Sequence, residues 1–176
     1  MARLIVASLL LVAVTFAAAV EARDVHPVVT PADQFRESKM TMCRSLTRLP
    51  GVTTPRDLLE AAVRVTITKA KQAKRRVDTY LASYHGGNPM ESMLLTCSQA
   101  YGNVADSLVE TQRLIDRHAS NGELNRQLSG VTTDALDCNN AFDERPEIVS
   151  PFPGTVRNVY RLADNILNIA YAIKQV

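Results

Sequence analysis

No set of side chains in the sequence has the spacing of a catalytic or metal site. The three histidines, His26, His85 and His118, are scattered and lack the spacing of metal ligands. The short motifs of serine hydrolases, zinc proteases and phosphate-binding loops do not occur. The adjacent acids Asp143 and Glu144 have no identifiable partner for general acid–base catalysis. We therefore expect no enzyme activity, no metal and no cofactor.

The three cysteines have the clearest chemistry, because they can form a disulfide bond. Cys43, Cys97 and Cys138 allow three different pairings, and each pairing leaves one thiol over. Disulfide bonds persist in oxidising compartments. A stable disulfide bond is therefore expected only if the chain is exported.

The N-terminus has the pattern of a signal peptide. Arg3 precedes an apolar run over residues 4–20. Small residues at Val20 and Ala22 fit a cleavage site before Arg23, with Ala17 and Ala19 as a second possibility. The alternative is a membrane anchor, but the run is barely long enough to span a bilayer and no positive stop sequence follows it directly. We predict a signal peptide over residues 1–22 and a secreted domain over residues 23–176, with no membrane association after cleavage.

The charge of the chain is almost balanced, with a formal net charge of +2 at pH 7. Nucleic-acid binders usually concentrate their basic residues on one face, so we expect no nucleic-acid partner. The densest basic run lies in residues 69–76 and consists of Lys69, Lys71, Lys74, Arg75 and Arg76. On a helix these side chains fan around every side except the inward one, which is typical of a solvated face. A weak attraction to an acidic polysaccharide is the alternative.

Helix-start residues indicate two helices in the first half of the domain. The first is predicted from Pro55 to about Tyr84, with Thr54 as its N-cap. The second is predicted to begin with Asn88 as its N-cap and to end near His118. A histidine cation there would interact favourably with the helix dipole, so we expect His118 to cap this helix.

Two further helices follow. The third is predicted to start after Gly122 and to end near Phe142. The fourth is predicted to begin at residues 150–151 and to run almost to the C-terminus, since Pro153 is tolerated in a first turn.

Apolar and small residues recur inside all four segments at alternating steps of four and three. This seam is typical of helices that pack nearly parallel in a bundle, and short connections make neighbouring helices antiparallel. We predict an all-α, up-down-up-down four-helix bundle over residues 54–176. The predicted inward residues are Leu59, Val63, Thr66, Ala70, Ala73, Val77, Tyr80 and Tyr84; Met90, Leu94, Cys97, Tyr101, Val104, Leu108, Thr111, Ile115 and His118; Leu124, Leu128, Val131, Ala135, Cys138 and Phe142; and Phe152, Val156, Val159, Ala163, Ile166, Ala170 and Ile173.

The seam favours a Cys97–Cys138 disulfide over either pairing of Cys43. Both residues take inward positions on helices that should lie side by side, and their midpoint falls just before the predicted turn at residues 120–122. The early midpoint indicates that the second helix ends sooner than His118 or loosens near its end. Such a bridge would stabilise the fold by about 4 kcal/mol. Two buried free thiols are the alternative.

Several stretches together resemble the plant invertase and pectin methylesterase inhibitor family. Residues 97–108, which include Cys97, Tyr101 and Leu108, are close to the family's Cys…Tyr…Ala…Leu pattern. Residues 135–142 are similar to its Ala-Leu…Cys…Phe pattern. Cys43 and the later Asp57 look like the family's second cysteine and the start of its bundle. The resemblance implies a secreted inhibitor with an N-terminal helical hairpin over residues 23–53.

The chain departs from the family at the bridge that usually staples this hairpin. No cysteine lies near Gln34, so the resemblance implies that Cys43 is a free thiol or pairs between chains. We expect a monomer in which the hairpin docks on the bundle and buries Cys43. The predicted anchors of the hairpin are Phe35, Met40, Met42, Leu46 and Leu49.

The resemblance implies pectin methylesterase or acid invertase as the partner. Many invertase inhibitors carry Pro-Lys-Phe before the third helix, where this chain has residues 122–125 as Gly-Glu-Leu-Asn. Inhibitors of pectin methylesterase tend to have acidic or hydroxyl residues beside the bridge cysteines, and Gln99, Asp137 and Asn140 stand there. These three residues are the predicted partner contacts, with ordinary solvated surface as the alternative. The expected location is the apoplast, or alternatively the vacuole.

Two other functional classes stay open. A carrier of a small apolar ligand could use space left by the small seam residues, and a core cavity larger than about 300 Å³ would favour it. Those residues are Ala70, Ala73, Ala135, Ala163 and Ala170. A secreted helical signalling protein would bind a cell-surface receptor and affect neither hydrolase.

Overall fold

The computed structural model describes residues 44–173. The predicted signal peptide, most of the predicted hairpin and the predicted free thiol of Cys43 lie outside the described residues. They stay predictions. Of the hairpin anchors inside this range, Leu46 is buried with 5% of its surface exposed, whereas Leu49 is 46% exposed.

Four helices make up most of the described chain. They are α1 (Pro55–Ser83), α2 (Met90–Asp116), α3 (Asn121–Asp143) and α4 (Pro153–Ala172). Residues 44–46 are also helical, and no strand occurs in residues 44–173. The prediction of an all-α fold is confirmed.

Helix α1 begins with the predicted cap. The side chain of Thr54 accepts a hydrogen bond from the backbone N–H of Asp57 at 3.1 Å, and the Asp57 carboxylate accepts from the Thr54 N–H at 2.7 Å. The backbone N–H of Thr53 donates to the same carboxylate at 3.0 Å. Hydrogen bonds from Thr53 and Thr54 lower the pKa of Asp57 to about 2. The start of α1 is thus fixed by a reciprocal capping box.

Helices α2 and α4 begin later than the sequence pattern predicted. Pro89, not Asn88, is the N-cap of α2, and no side chain caps this helix end. Helix α4 starts at Pro153 rather than Pro151, because a residue before proline is disfavoured in the helical conformation. Phe152 accordingly has φ −133° and ψ 49°, outside the helical region.

His118 ends α2 through its backbone conformation. The helix stops at Asp116, and His118 follows with a left-handed φ of 55°. The N–H of Ala119 donates to the carbonyl of Leu114 at 2.9 Å, and the N–H of His118 donates to the carbonyl of Ile115 at 3.0 Å. These are the two hydrogen bonds of a Schellman cap, while the His118 side chain is exposed.

Helix α3 starts two residues earlier than predicted. The side chain of Ser120 accepts from the N–H of Glu123 at 3.3 Å, so Ser120 is the N-cap. Asn121 and Gly122 therefore lie in the first turn of α3.

Each helix packs against two neighbours in the order α1, α2, α3 and α4, and α4 closes against α1. Arg56 in the first turn of α1 donates to the carbonyl of Ile115 in the last turn of α2 and to the carbonyl of Ala119 just beyond it, at 3.3 Å each. Asn121 at the start of α3 donates to the carbonyl of Ile173 beyond α4 at 3.0 Å. These contacts make α1 antiparallel to α2 and α3 antiparallel to α4, as the prediction of a bundle requires.

The core is built from the predicted seam. Every predicted inward residue of α3 is buried, as are those in the middle of the other three helices. The exceptions lie at or near helix ends, where His118 is exposed and the following residues are half-buried: Tyr80, Tyr84, Met90, Val156 and Ile173. Within residues 44–173, no helix has the length and apolar character needed to cross a membrane.

Candidate functional site

A disulfide bond between Cys97 and Cys138 joins α2 to α3 inside the core. Both residues are at most 1% exposed, and their Cα atoms lie 4.4 Å apart. The bridge spans 41 positions of sequence. It therefore locks α2 and α3 into one register and fixes the relative positions of the residues that flank it.

Tyr101 lies one turn from Cys97 and faces the bridge. Its hydroxyl lies 3.1 Å from the Sγ atom of Cys138, and the residue is fully buried. Burial raises the pKa of the Tyr101 hydroxyl above its ordinary value, so the group stays protonated. A disulfide sulfur carries no hydrogen, and Tyr101 is thus the donor.

The bridge is supported on the α1 side by a polar cluster. Lys74 of α1 donates to Asp78 at 2.7 Å and to the hydroxyl of Ser98 at 3.1 Å, and Ser98 donates to the second oxygen of Asp78. Burial works to raise the pKa of Asp78, but the hydrogen bonds from Lys74 and Ser98 and the Lys74 charge lower it overall. Ser98 stands directly after Cys97, so α2 is held on two sides at the level of the bridge.

The three predicted contact residues are all exposed beside the bridge. Gln99 lies two residues after Cys97, which is about 200° around α2 and away from the core. Asp137 and Asn140 flank Cys138 on α3. Among residues 44–173, no hydrogen bond joins the side chains of these three residues to one another or to a neighbour. The structure brings them to one level of the bundle and leaves their side chains accessible.

Leu95 is an exposed apolar residue that was not among the predicted contact residues. It lies one turn before Gln99 on α2, and 45% of its surface is exposed. The seam passes through the buried Leu94, so Leu95 lies off the seam. An apolar residue off the seam was the sequence feature that could have indicated an exposed contact. We call Leu95, Gln99, Asp137 and Asn140 the bridge surface. Its mixture of one apolar side chain with amide and acidic groups suits contact with another protein.

Asp134 adds a second acid that the sequence reading also missed. It lies one turn before Asp137, half-buried between α3 and α2, with its carboxylate 3.5 Å from the hydroxyl of Ser107. Burial raises the pKa of Asp134, the charge of Asp137 raises it further, and the Ser107 hydrogen bond partly offsets both. The three-residue spacing of Asp134 and Asp137 could have revealed the pair. The burial of Asp134, however, depends on how α2 packs against α3.

The side chains of the bridge surface are one apolar group, two amides and one carboxylate. This surface contains no nucleophile within reach of a base, and residues 44–173 hold no group of three or more histidine, cysteine or acidic side chains placed for a metal ion. The surface is instead a set of outward side chains on two covalently joined helices. Such a surface can present a fixed shape to a protein partner.

Comparison with known proteins gives one family. A family model described as plant invertase/pectin methylesterase inhibitor matches residues 38–169. No curated protein matches the chain. The matched range includes α1, α2, α3 and most of α4, together with the disulfide bond and the whole bridge surface.

Proposed function

Because the chain belongs to the plant invertase/pectin methylesterase inhibitor family, we propose that it is secreted and blocks a pectin methylesterase or an acid invertase. Members of this family are inhibitors rather than enzymes. The family match, which covers the bridge and the helices around it, carries the proposal.

The proposed mechanism is steric. The bundle lays the bridge surface across the target's cleft and keeps substrate out. A binder that is already rigid loses little conformational entropy on association. The disulfide bond on one side of α2 and the Lys74–Asp78–Ser98 cluster on the other support such rigidity where the contact is proposed.

Pectin methylesterase is the first target to test. The acid beside the bridge, Asp137, is exposed and available to a partner. Residues 122–125, where many invertase inhibitors carry Pro-Lys-Phe, lie in the regular first turns of α3 behind the Ser120 cap. Acid invertase is the second target, because the family includes inhibitors of both enzymes.

The carrier alternative receives less support. The seam alanines pack in the core at 4% exposure or less. A depression of about 550 Å³ exceeds the size that would favour a carrier, but it is an open groove lined by cationic side chains. An apolar ligand gains little from such a lining.

The decisive experiment is a titration of the mature protein, beginning at Arg23, against a pectin methylesterase and an acid invertase. We expect one enzyme to lose its activity at a stoichiometry of one inhibitor per enzyme. A sample reduced and alkylated at its cysteines serves as the control. Full activity of both enzymes in the presence of folded inhibitor would contradict the proposal.

A further inference from the structure

A groove of about 550 Å³ lies between α1 and the first turns of α4. Because α1 and α4 form the side of the bundle opposite α2 and α3, the groove lies away from the bridge surface. Its polar side chains come from Lys69, Gln72 and Arg76 of α1 and from Thr155, Asn158 and Arg161 of α4. No carboxylate lines it among the residues that the structure describes.

The α1 side of the groove is a stripe of cation, amide and cation. Lys69, Gln72 and Arg76 are spaced three and four residues apart, so they lie on one face of the helix. All three are exposed. Within residues 44–173, neither Lys69 nor Arg76 forms an ion pair, whereas Lys74 on the other side of α1 pairs with Asp78. Two positive charges thus face the groove without a counter-charge from this part of the chain.

Arg76 is held in place by the start of α4. Its guanidinium carbon lies 5.1 Å from the centre of the Phe152 ring, and its Nη1 lies 3.5 Å from the hydroxyl of Thr155. Phe152 is buried and packs edge-on against Tyr80, with ring centres 5.2 Å apart. Arg76 is exposed, and its guanidinium has further N–H donors besides the one directed at Thr155 that can bond to an anion.

We propose that this groove binds a short stretch of an acidic polysaccharide, a chain of uronic acid units. Lys69 and Arg76 contact successive carboxylates, and the amides of Gln72 and Asn158 bond to sugar hydroxyls. An open groove with alternating cations and amides suits a linear sugar acid better than a compact anion such as phosphate. The choice of polymer rests on the proposed function, because a demethylated pectin chain has this chemistry.

Such a site would hold the inhibitor on the polymer that its target modifies. The groove and the bridge surface lie on opposite sides of the bundle, so one molecule can engage the polysaccharide and the enzyme together. The charged contacts, made by Lys69 and Arg76, are exposed ion pairs, and we therefore expect weak, salt-sensitive binding.

The test is calorimetric titration of the mature protein with a galacturonate oligomer of defined length, without any enzyme. Lys69→Gln/Arg76→Gln is the test variant. Lys71→Gln/Arg75→Gln is the matched control, because it removes the same charge from exposed positions of α1 that do not line the groove. Lys69→Gln alone is added because the Lys69 side chain is exposed and makes no hydrogen bond or ion pair within residues 44–173. Thermal unfolding checks that each variant is folded.

We expect the wild type and the control variant to bind alike, and the test variant to bind at least about fivefold more weakly, with a smaller loss for Lys69→Gln. Methyl-esterified oligomer and inorganic phosphate should not bind. Equal losses in both double variants would overturn the proposal, as would no binding at all or equal binding of phosphate. Complex formation with pectin methylesterase, measured by gel filtration without pectin, tests the proposed function separately and should be unaffected in the test variant.

Discussion

The hydroxyl of Tyr101 donates a hydrogen bond to the Sγ atom of Cys138 over 3.1 Å, in the middle of the core. Cys138 is bonded to Cys97, which precedes Tyr101 by one turn on α2. The side chain that packs against the bridge therefore comes from the same helix as one of its cysteines. This arrangement ties the aromatic ring, the disulfide bond and the register of α2 and α3 into one unit.

Tyr101→Phe should lower the free energy of unfolding by about 1 kcal/mol, because it removes one buried hydrogen bond and keeps the ring. Urea unfolding of the oxidised protein measures the change. Tyr160→Phe is the control, since Tyr160 is half-buried and makes no hydroxyl hydrogen bond in the described residues. A loss above about 3 kcal/mol would instead indicate that the ring itself has moved.

Cys138→Ser should lower the free energy of unfolding by roughly 2–5 kcal/mol, because it opens the loop between α2 and α3. Cys43→Ser should leave stability almost unchanged if Cys43 is a free thiol. Peptide mapping without reduction should show a single linked pair, Cys97 with Cys138. A link from Cys43 to either of them would contradict the pairing.

His118→Gly should raise the free energy of unfolding by about 0.5–1 kcal/mol, because glycine adopts the left-handed φ of this position without steric cost. His118→Val should lower it, since a β-branched residue is strained there. Chemical denaturation of both variants near neutral pH gives the comparison. If His118→Gly were the destabilised variant, the histidine side chain and not the backbone conformation would stabilise this helix end.

Asp57→Asn should destabilise the protein at moderate pH but not in strong acid. The folded-state pKa of Asp57 is about 2, below its ordinary value of 3.8. An acid with a lowered pKa contributes stability above its unfolded pKa, and that contribution disappears as the pH falls through the folded pKa. The difference in melting temperature between wild type and variant should therefore shrink between about pH 4 and pH 2. Asp106→Asn is the control, since its exposed carboxylate makes no hydrogen bond in residues 44–173. A pH-independent difference would assign the effect of Asp57 to something other than its charge.

Asp137→Lys should weaken inhibition of the target enzyme by about tenfold or more if the bridge surface is the contact, because a reversed charge there meets the partner directly. Inhibition curves at equal enzyme concentration supply the measurement. Glu147→Lys makes the same charge change at an exposed residue in the loop after α3 and should inhibit like the wild type. Equal inhibition by Asp137→Lys and the wild type would place the contact elsewhere.

The spacing of apolar residues predicted the bundle because burying one face of each helix determines how the helices pack. Leu59, Leu108 and Leu128 all lie on the predicted seam and are completely buried. The same reasoning placed Cys97 and Cys138 side by side. Where apolar residues recur regularly over many helical turns, single residues at the helix ends have little influence on how the helices pack.

Helix ends were harder to predict because several local effects compete there. The proline after Phe152 excluded an earlier start of α4, and Asn88 did not cap α2. The left-handed conformation of His118 has no sequence signal, since glycine or asparagine is usual at that position. Asp134 and Leu95 were missed because their exposure depends on the packing of α2 against α3 and not on either helix alone.

Because of the covalent bond between α2 and α3, the parts of the bundle also differ in the free energy at which they unfold locally. Helix α4 packs against α3 and α1 without a covalent link in the described residues, and no side chain caps its first turn. When the native state opens in parts, helices that are joined only by packing separate at lower free energy than a cross-linked pair. The cross-linked helices α2 and α3 should therefore form one cooperative unit whose backbone amide hydrogens exchange most slowly. The proposed enzyme-binding residues all belong to that unit. In contrast, half of the residues that line the cationic groove belong to α4, which we expect to unfold locally first.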